Sequence, residues 1–378
     1  MSKPLTVIDL FSGCGGSALG FQQAGFIIKV AVDVNQNASE SFKLNFPDAE
    51  VIAPDISYVT GSDLLKAAGI TNGKDVVIIA CPPCQGFSTA RRKSEGISDP
   101  RNTLIYEFLR LLEEIKPYAF VMENVPGLAK GIGKPIFLNI LQRLRELGYY
   151  TVHGIVDTAD YGVPQRRKRL VLLGTNDPKI RLTFPKQTNQ DPNFIGRYLD
   201  SWNTVRGTIA DLPSIRAGEK SENDKLHVSS NLAEINLKRM ANTPHDGGGR
   251  LSWPEELILE CHKKVNGYKD IYGRMKWDYP SPTITGGCVM ISKGRFGHPE
   301  QDRAISLREA ARLQTFPDSY IFAGNVGQIA SQLGNAVPPL LAKRIADSLA
   351  QAIQESESFE NLITKSREDV SMKGNFFQ

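Results

Sequence analysis

The run Ala80-Cys81-Pro82-Pro83-Cys84-Gln85-Gly86-Phe87-Ser88 carries the most reactive side chains of this sequence. It follows Val76-Val77-Ile78-Ile79, an apolar stretch that reads as a buried strand. A thiol at the carboxyl end of a central strand sits where open α/β sheets bind ligands. The two prolines remove backbone donors and stiffen the exit from the strand. A cysteine on a rigid loop there is a candidate nucleophile. Cys81-x-x-Cys84 supports three chemistries: a redox pair, half of a zinc site, or one nucleophile, Cys84, beside a buried Cys81. No second Cys-x-x-Cys completes a zinc site, so no metal is expected. A redox pair leaves Gln85-Gly86-Phe87-Ser88 without a role.

Two further segments place charge at the same rim. In Phe120-Val121-Met122-Glu123-Asn124-Val125-Pro126-Gly127 an apolar strand delivers the carboxyl of Glu123 to a defined turn. Such a group can hydrogen-bond a heterocycle, or hold a proton if desolvated. Val163-Pro164-Gln165-Arg166-Arg167-Lys168-Arg169 precedes another apolar strand. Alternation along an extended chain puts Arg167 and Arg169 on one side, Arg166 and Lys168 on the other. A guanidinium near a thiol lowers its pKa from roughly 8.5 and raises the reactive fraction.

A third segment, 9–16, reads Asp-Leu-Phe-Ser-Gly-Cys-Gly-Gly and joins a strand to a helix. Its glycines let backbone amides approach a ligand, and the helix N-terminus favours negative charge there. Asp33, at the end of the second strand, can bind two ribose hydroxyls. Loop and carboxylate suit a nicotinamide cofactor and S-adenosylmethionine alike. Asp55 could accept from adenine or cap a helix.

These side chains need a frame. Strands are expected over 6–10, 28–33, 51–52, 76–80, 119–123, 150–157 and 170–174. Helices are expected over 17–24, 36–45, 61–68, 104–115 and 135–147. Their alternation implies a Rossmann-like, doubly wound, mostly parallel α/β sheet. From about 180 to 294 the chain is polar and rich in Gly, Pro, Asn and Asp, which suggests an inserted lobe. Helical pattern returns over 307–314 and 338–353. The expected organisation is 1–179 and 295–355 as one domain, 180–294 as the lobe, and 356–378 as a fraying tail.

Together these motifs resemble the DNA (cytosine-5) methyltransferase family of the bacterial restriction-modification type. Arg308-Glu309-Ala310-Ala311-Arg312-Leu313-Gln314 and Gly334-Asn335-Ala336-Val337-Pro338-Pro339 complete the set. The resemblance covers about 5–175 and 272–350. It implies a class I methyltransferase fold, with the lobe as target-recognition domain. Phe11, Gly13, Cys14, Gly15 and Gly16 would line the methionine part of S-adenosylmethionine. Asp33 would hold the ribose, with Val34, Asp55 and Ile56 around the adenine. Pro82, Leu104, Asn335 and Ala336 would complete that pocket. Cys84 would be the nucleophile, Glu123 would contact the N3/N4 edge of cytosine, and Arg169 with Arg167 would orient the base. Gln85, Ser88 and Thr283 would lie at the DNA. In the lobe, Arg250, Arg274, Lys276, Lys293 and Arg295 could reach phosphates or guanine edges, while Trp253 and Trp277 read as core.

The implied partner is double-stranded DNA, with a cognate restriction endonuclease acting separately and the enzyme working as a monomer. A net charge of +4 permits that partner without demanding it. Cysteines at 14, 81, 84, 261 and 288 are odd in number and scattered, which fits a reducing compartment. The N-terminus lacks an apolar signal segment, so a cytoplasmic protein is expected. Three other readings stay open: an RNA cytosine-5 methyltransferase, a nicotinamide or thiol-disulfide oxidoreductase, and an inactive DNA-binding homologue. A Cys-Phe-Thr signature, carried by the tRNA-methylating branch, is missing from this sequence.

Overall fold

The computed structural model describes residues 5–83, 104–196, 198–263 and 270–374, with side chains through residue 356. Its centre is a seven-stranded sheet ordered β3-β2-β1-β4-β5-β7-β6. The strands are β1 (Thr6–Leu10), β2 (Ile27–Val32), β3 (Glu50–Ile52), β4 (Val76–Ala80), β5 (Ala119–Asn124), β6 (Tyr150–Asp157) and β7 (Lys168–Thr175). β1 to β5 run parallel, and β7 runs antiparallel to both neighbours.

Alternation decides which face each side chain enters. Val7, Val77, Ile79, Ala119, Val121, Val171 and Leu173 face one buried core. Ile8, Leu10, Val76, Ile78, Phe120, Met122, Leu170 and Leu172 face the other. Both faces are therefore apolar, as a doubly covered sheet requires. The helices of the first half are α1 (Gly16–Gln23), α2 (Gln36–Asn45), α3 (Gly61–Ala67), α4 (Leu104–Ile115) and α5 (Lys134–Glu146). α1 and α2 cover the first face through Ala18, Phe21 and Phe42. α3, α4 and α5 cover the second with Leu64, Phe108 and Ile140.

The chain continues through β8 (Asn189–Gln190), β9 (Asp200–Ser201), α6 (Val205–Ile209), α7 (Glu234–Ala241) and α8 (Glu260–Lys263). It closes with α9 (Leu307–Leu313), α10 (Val326–Asn335) and α11 (Pro339–Gly374). α10 was not expected from sequence. A capping box of Asn325 and Gln328 starts it. Helical backbone in α11 carries on through Gly374, past residue 355, where a frayed tail was expected. No helix among the described residues is long and apolar enough to cross a membrane.

The interval 180–294 divides between two cores. Val205, Ile209, Met275, Trp277 and Ile284 join the main one. Met240, Trp253, Leu257, Tyr272 and Ile291 form a small separate one with Ala304. Beside it lies a buried charged cluster. Arg303 holds both carboxylate oxygens of Glu309 at 2.7 Å. His298 Nδ1 accepts backbone N–H groups of Glu300 and Gln301 at 3.1 and 3.0 Å. Burial lowers the His298 pKa to about 4, against the pull of Glu309.

Two stability predictions arise here. An unfolded His298 titrates near pH 6.5 and the folded one near 4, so its contribution is complete above 6.5 and is lost as pH falls towards 4. Thermal melts of the wild type should drop between pH 7 and pH 5, and His298→Gln should flatten that slope. An unchanged slope in the variant would show that other groups set it. Gly20 touches α11 so closely that a Cβ would lie 2.5 Å from Lys343 N and Pro339 O. Gly20→Ala should therefore cost about 1–3 kcal/mol of overpacking, read as a lowered denaturation midpoint with unchanged m-value.

Candidate active site

The glycine loop is already shaped. Ser12 N–H donates to Val32 O at 3.0 Å, tying the loop to β2. Gly13 N–H donates to Asp33 Oδ2 and Asn35 N–H to Oδ1, both at 2.8 Å. Burial pushes the Asp33 pKa up, and those two donors oppose the shift. Phe11 sits at φ 59°, a left-handed conformation that is uncommon for an aromatic residue. Gly15, at φ 90°, is the residue before α1 and packs against Phe42, Phe46 and Tyr320. Tyr320 donates its hydroxyl to Cys14 O from the far end of the chain. Burial drives the Cys14 thiol up to about 12, so it is no nucleophile at neutral pH.

Antiparallel pairing of β5 with β7 brings the second half of the site together. Arg169 Nε lies 2.7 Å from Glu123 Oε1, with the two side chains 14% and 12% exposed. Arg167 is buried and donates to Ile284 O at 2.9 Å and to Gly334 O at 3.1 and 3.2 Å. Burial, then the neighbouring Arg169, lowers its pKa to about 9, which still leaves a cation at neutral pH. Arg166 turns elsewhere, to Asp157 at 2.7 Å and over the Trp202 ring at 4.2 Å. Cys81 is half-buried with its sulfur 3.6 Å from Ser17 Oγ. Desolvation, then the charge of Glu123, pushes its thiol well up. Asn124 Nδ2 donates to Pro82 O at 3.0 Å and so fixes the exit from β4.

One cavity of about 1240 Å³ joins these halves. Phe11, Gly13, Cys14, Gly16, Asp33, Val34, Asp55, Ile56, Pro82, Leu104, Asn335 and Ala336 all line it. So do Glu123, Arg167, Arg169 and Thr283, at its other end. Gly15 is not among its lining residues, and a Cβ added there would meet Phe42, Phe46 and Tyr320. Asp55 takes the capping role, its Oδ1 accepting from Ser57 N–H at 2.9 Å, and it also lines the cavity. Cys84, Gln85 and Ser88 lie outside the described residues; Pro83, next to Cys84 in sequence, is at the cavity wall. Sequence reasoning gave no role to Ser17, Asn124, Gln332 or Val337, which also line it. Ser17 opens the expected helix after the glycine loop, and Asn124 and Val337 stand inside quoted motifs; Gln332 carries no local signal.

The lobe corrects two expectations. Arg274 is fully buried. It donates to the carbonyls of Thr243, His298, Gln301 and Met240 and pairs with Asp302, so it has no donor to spare for DNA. Arg250 is also buried, 7% exposed, within a short 3-10 turn. Arg295 is occupied by Asp270 and the carbonyls of Gly247 and Gly248. Buried cations of this kind hold loops that have few strands of their own. Lys276 and Lys293 stay exposed, and Lys293 lines the cavity. Trp253 and Trp277 are core residues, as expected.

Similarity to known proteins covers the fold and the motifs together. Residues 5–351 match the family model of the C-5 cytosine-specific DNA methylases. The Type II methylase M.HgiDII of Herpetosiphon aurantiacus is 41% identical over 355 residues, 92% of this chain and 96% of that one. The Type II methyltransferase M1.HphI of Haemophilus parahaemolyticus is 36% identical, over 91% and 86% of the two chains. Among solved structures, a prophage-encoded protein of E. coli assigned as a DNA modification methyltransferase aligns with TM-score 0.71 and 26% identity, covering 93% and 99%. A Spodoptera frugiperda DNMT2 variant, at TM-score 0.58 and 18% identity, covers 91% and 99% and shares the fold. With the family model spanning both halves of the cavity wall, the chain belongs to the C-5 cytosine-specific DNA methylases and is a DNA (cytosine-5) methyltransferase.

Proposed function

We propose that this enzyme methylates C5 of one cytosine within a specific duplex sequence, using S-adenosylmethionine and a covalent Cys84–C6 intermediate. The observation that carries this reading is the single cavity with a ribose-type carboxylate at one end and the Glu123–Arg169 pair at the other. The lobe within 180–294 is the proposed target-recognition domain. The enzyme would act in the cytoplasm as a monomer and protect sites from a separate endonuclease, as the Type II names of its relatives suggest.

The residues fit the cofactor. Asp33 spends one lone pair of each oxygen on a backbone N–H and keeps others for two hydroxyls. Val34 and Ile56 give apolar walls for a purine. When bound, S-adenosylmethionine supplies an electrophilic methyl group on a sulfonium.

C5 of cytosine is a weak nucleophile. Addition of the Cys84 thiolate to C6 makes an enamine whose C5 is reactive. Glu123 meets charge developing on the ring through a hydrogen bond at its N3/N4 edge. Arg169 keeps that carboxyl in place and orients the base. After C5 is alkylated, a base removes its proton and the Cys84–C6 bond breaks. Cys81 stays a thiol and does not compete. The target atom is hidden in a duplex, so the base must swing out at a cost of a few kcal/mol. Thr283, fixed by its hydrogen bond to Arg166 O at 2.8 Å, is the proposed phosphate contact beside the swung-out base.

Bisulfite sequencing of a random plasmid library treated with the enzyme should give one methylated motif. Cys84→Ser should lower methyl transfer by more than about a thousandfold yet leave duplex binding within a few-fold. Turnover in Cys84→Ser, with Cys81→Ser inactive, would reverse the two roles. A duplex carrying 5-fluorocytosine should trap the wild type irreversibly, and peptide mapping should place the adduct on residue 84. Asp33→Ala should weaken S-adenosylhomocysteine binding at least tenfold by calorimetry; unchanged affinity would remove the ribose assignment.

A further inference from the structure

Thr283–Gly286 and the last turn of α10 meet backbone to backbone. A Cβ on Gly334 would lie 2.0 Å from Gly286 N. Two buried side-chain relays cross the same junction, and both end on Ile284. Ile284 N–H donates to Gln165 Oε1 at 2.8 Å. Gln165 Nε2 donates to Gln314 Oε1 at 2.7 Å. Gln314 Nε2 then donates to Leu333 O, and to Ala336 O at 3.3 Å. The other polar group of the same residue, Ile284 O, accepts from Arg167, which also holds Gly334 O.

Both glutamines are fully buried. Each amide donates through nitrogen and accepts through oxygen, so the relay has one direction. Flipping either amide would set like groups face to face. Ile284 therefore has its N–H and its C=O tied to residues 333–336 by separate routes. Residue 283 stands on the proposed DNA side, and residues 335–336 stand on the proposed cofactor side.

We propose that Gln165 and Gln314 are positioning residues that lock the DNA-side segment to the cofactor-side turn, so that occupancy of either wall orders the other. This rests on the reading of the cavity given above. Neither side chain touches a reacting atom; their effect passes through Ile284 and the 333–336 turn. Such coupling is reciprocal: each ligand must strengthen the other by the same factor.

The test uses the full-length enzyme and a duplex bearing the motif found by bisulfite sequencing. The affinity of S-adenosylhomocysteine is measured with and without duplex, and that of duplex with and without S-adenosylhomocysteine. In the wild type each ligand should tighten the other by about tenfold. Gln314→Met and Gln165→Met keep length and lose the amide. In both variants the factor should fall below about threefold while each ligand alone still binds. A folded Gln314→Met enzyme with the full factor overturns the proposal. If neither variant folds, hydrogen exchange on the wild type decides. S-adenosylhomocysteine alone should slow exchange of the Ile284 amide, and an unchanged rate overturns the proposal. A wild type that binds both ligands and methylates DNA without coupling defeats this inference alone. A wild type that neither binds S-adenosylhomocysteine nor methylates DNA defeats the underlying reading.

Discussion

The site depends on one strand reversal. β7 enters the sheet between β5 and β6 and runs against β5, so Glu123 at the end of β5 meets Arg169 near the start of β7. A parallel β7 would carry its cations to the opposite edge. Pairing Glu123 with Val171 and Asn124 with Leu170 puts the guanidinium beside the carboxylate at the carboxyl ends of the parallel strands. That is where open sheets keep their ligands. Two charges so little exposed are tolerable only because each compensates the other. Rim geometry and local charge balance are therefore a single constraint.

The same rim cannot be finished by the first half of the chain. The proposed cofactor side is closed by residues 276 to 291 positions downstream. Ser41 donates to Gln332 Oε1 at 2.6 Å, and Ala323 N–H donates back to Ser41 Oγ at 2.8 Å. Asn45 exchanges hydrogen bonds with Ile321 in the same way. Gly16 and Gly20 let α1 approach Val337 and α11 at distances no side chain would permit. The two halves of the chain thus share one core, and the interval 180–294 adds Val205, Ile209, Met275, Trp277 and Ile284 to it.

Much of this was written locally in the sequence. β1 and β4 fall where the sequence puts them, because every residue of each is buried between two covered faces; β6 also falls as expected, with Val156 its only buried residue. Motif spacing likewise led to both ends of the cavity. Residue type alone misled in the lobe. Arg274 and Arg250 look like phosphate ligands beside glycines and aromatics, yet carbonyls of irregular loops enclose Arg274, and Arg250 is also buried. A cation's type does not say which acceptors surround it. The Gln165–Gln314 contact joins positions 149 apart and has no local signature.

Asp33 carries a last implication. Its carboxylate is already oriented by Gly13 and Asn35, so the loop meets its guest without first rearranging. With Asp33 as the proposed ribose contact, that grip cannot feel whether a distant sulfur still bears its methyl. The spent nucleoside would then be held almost as firmly as the fresh one and would compete with it for the loop.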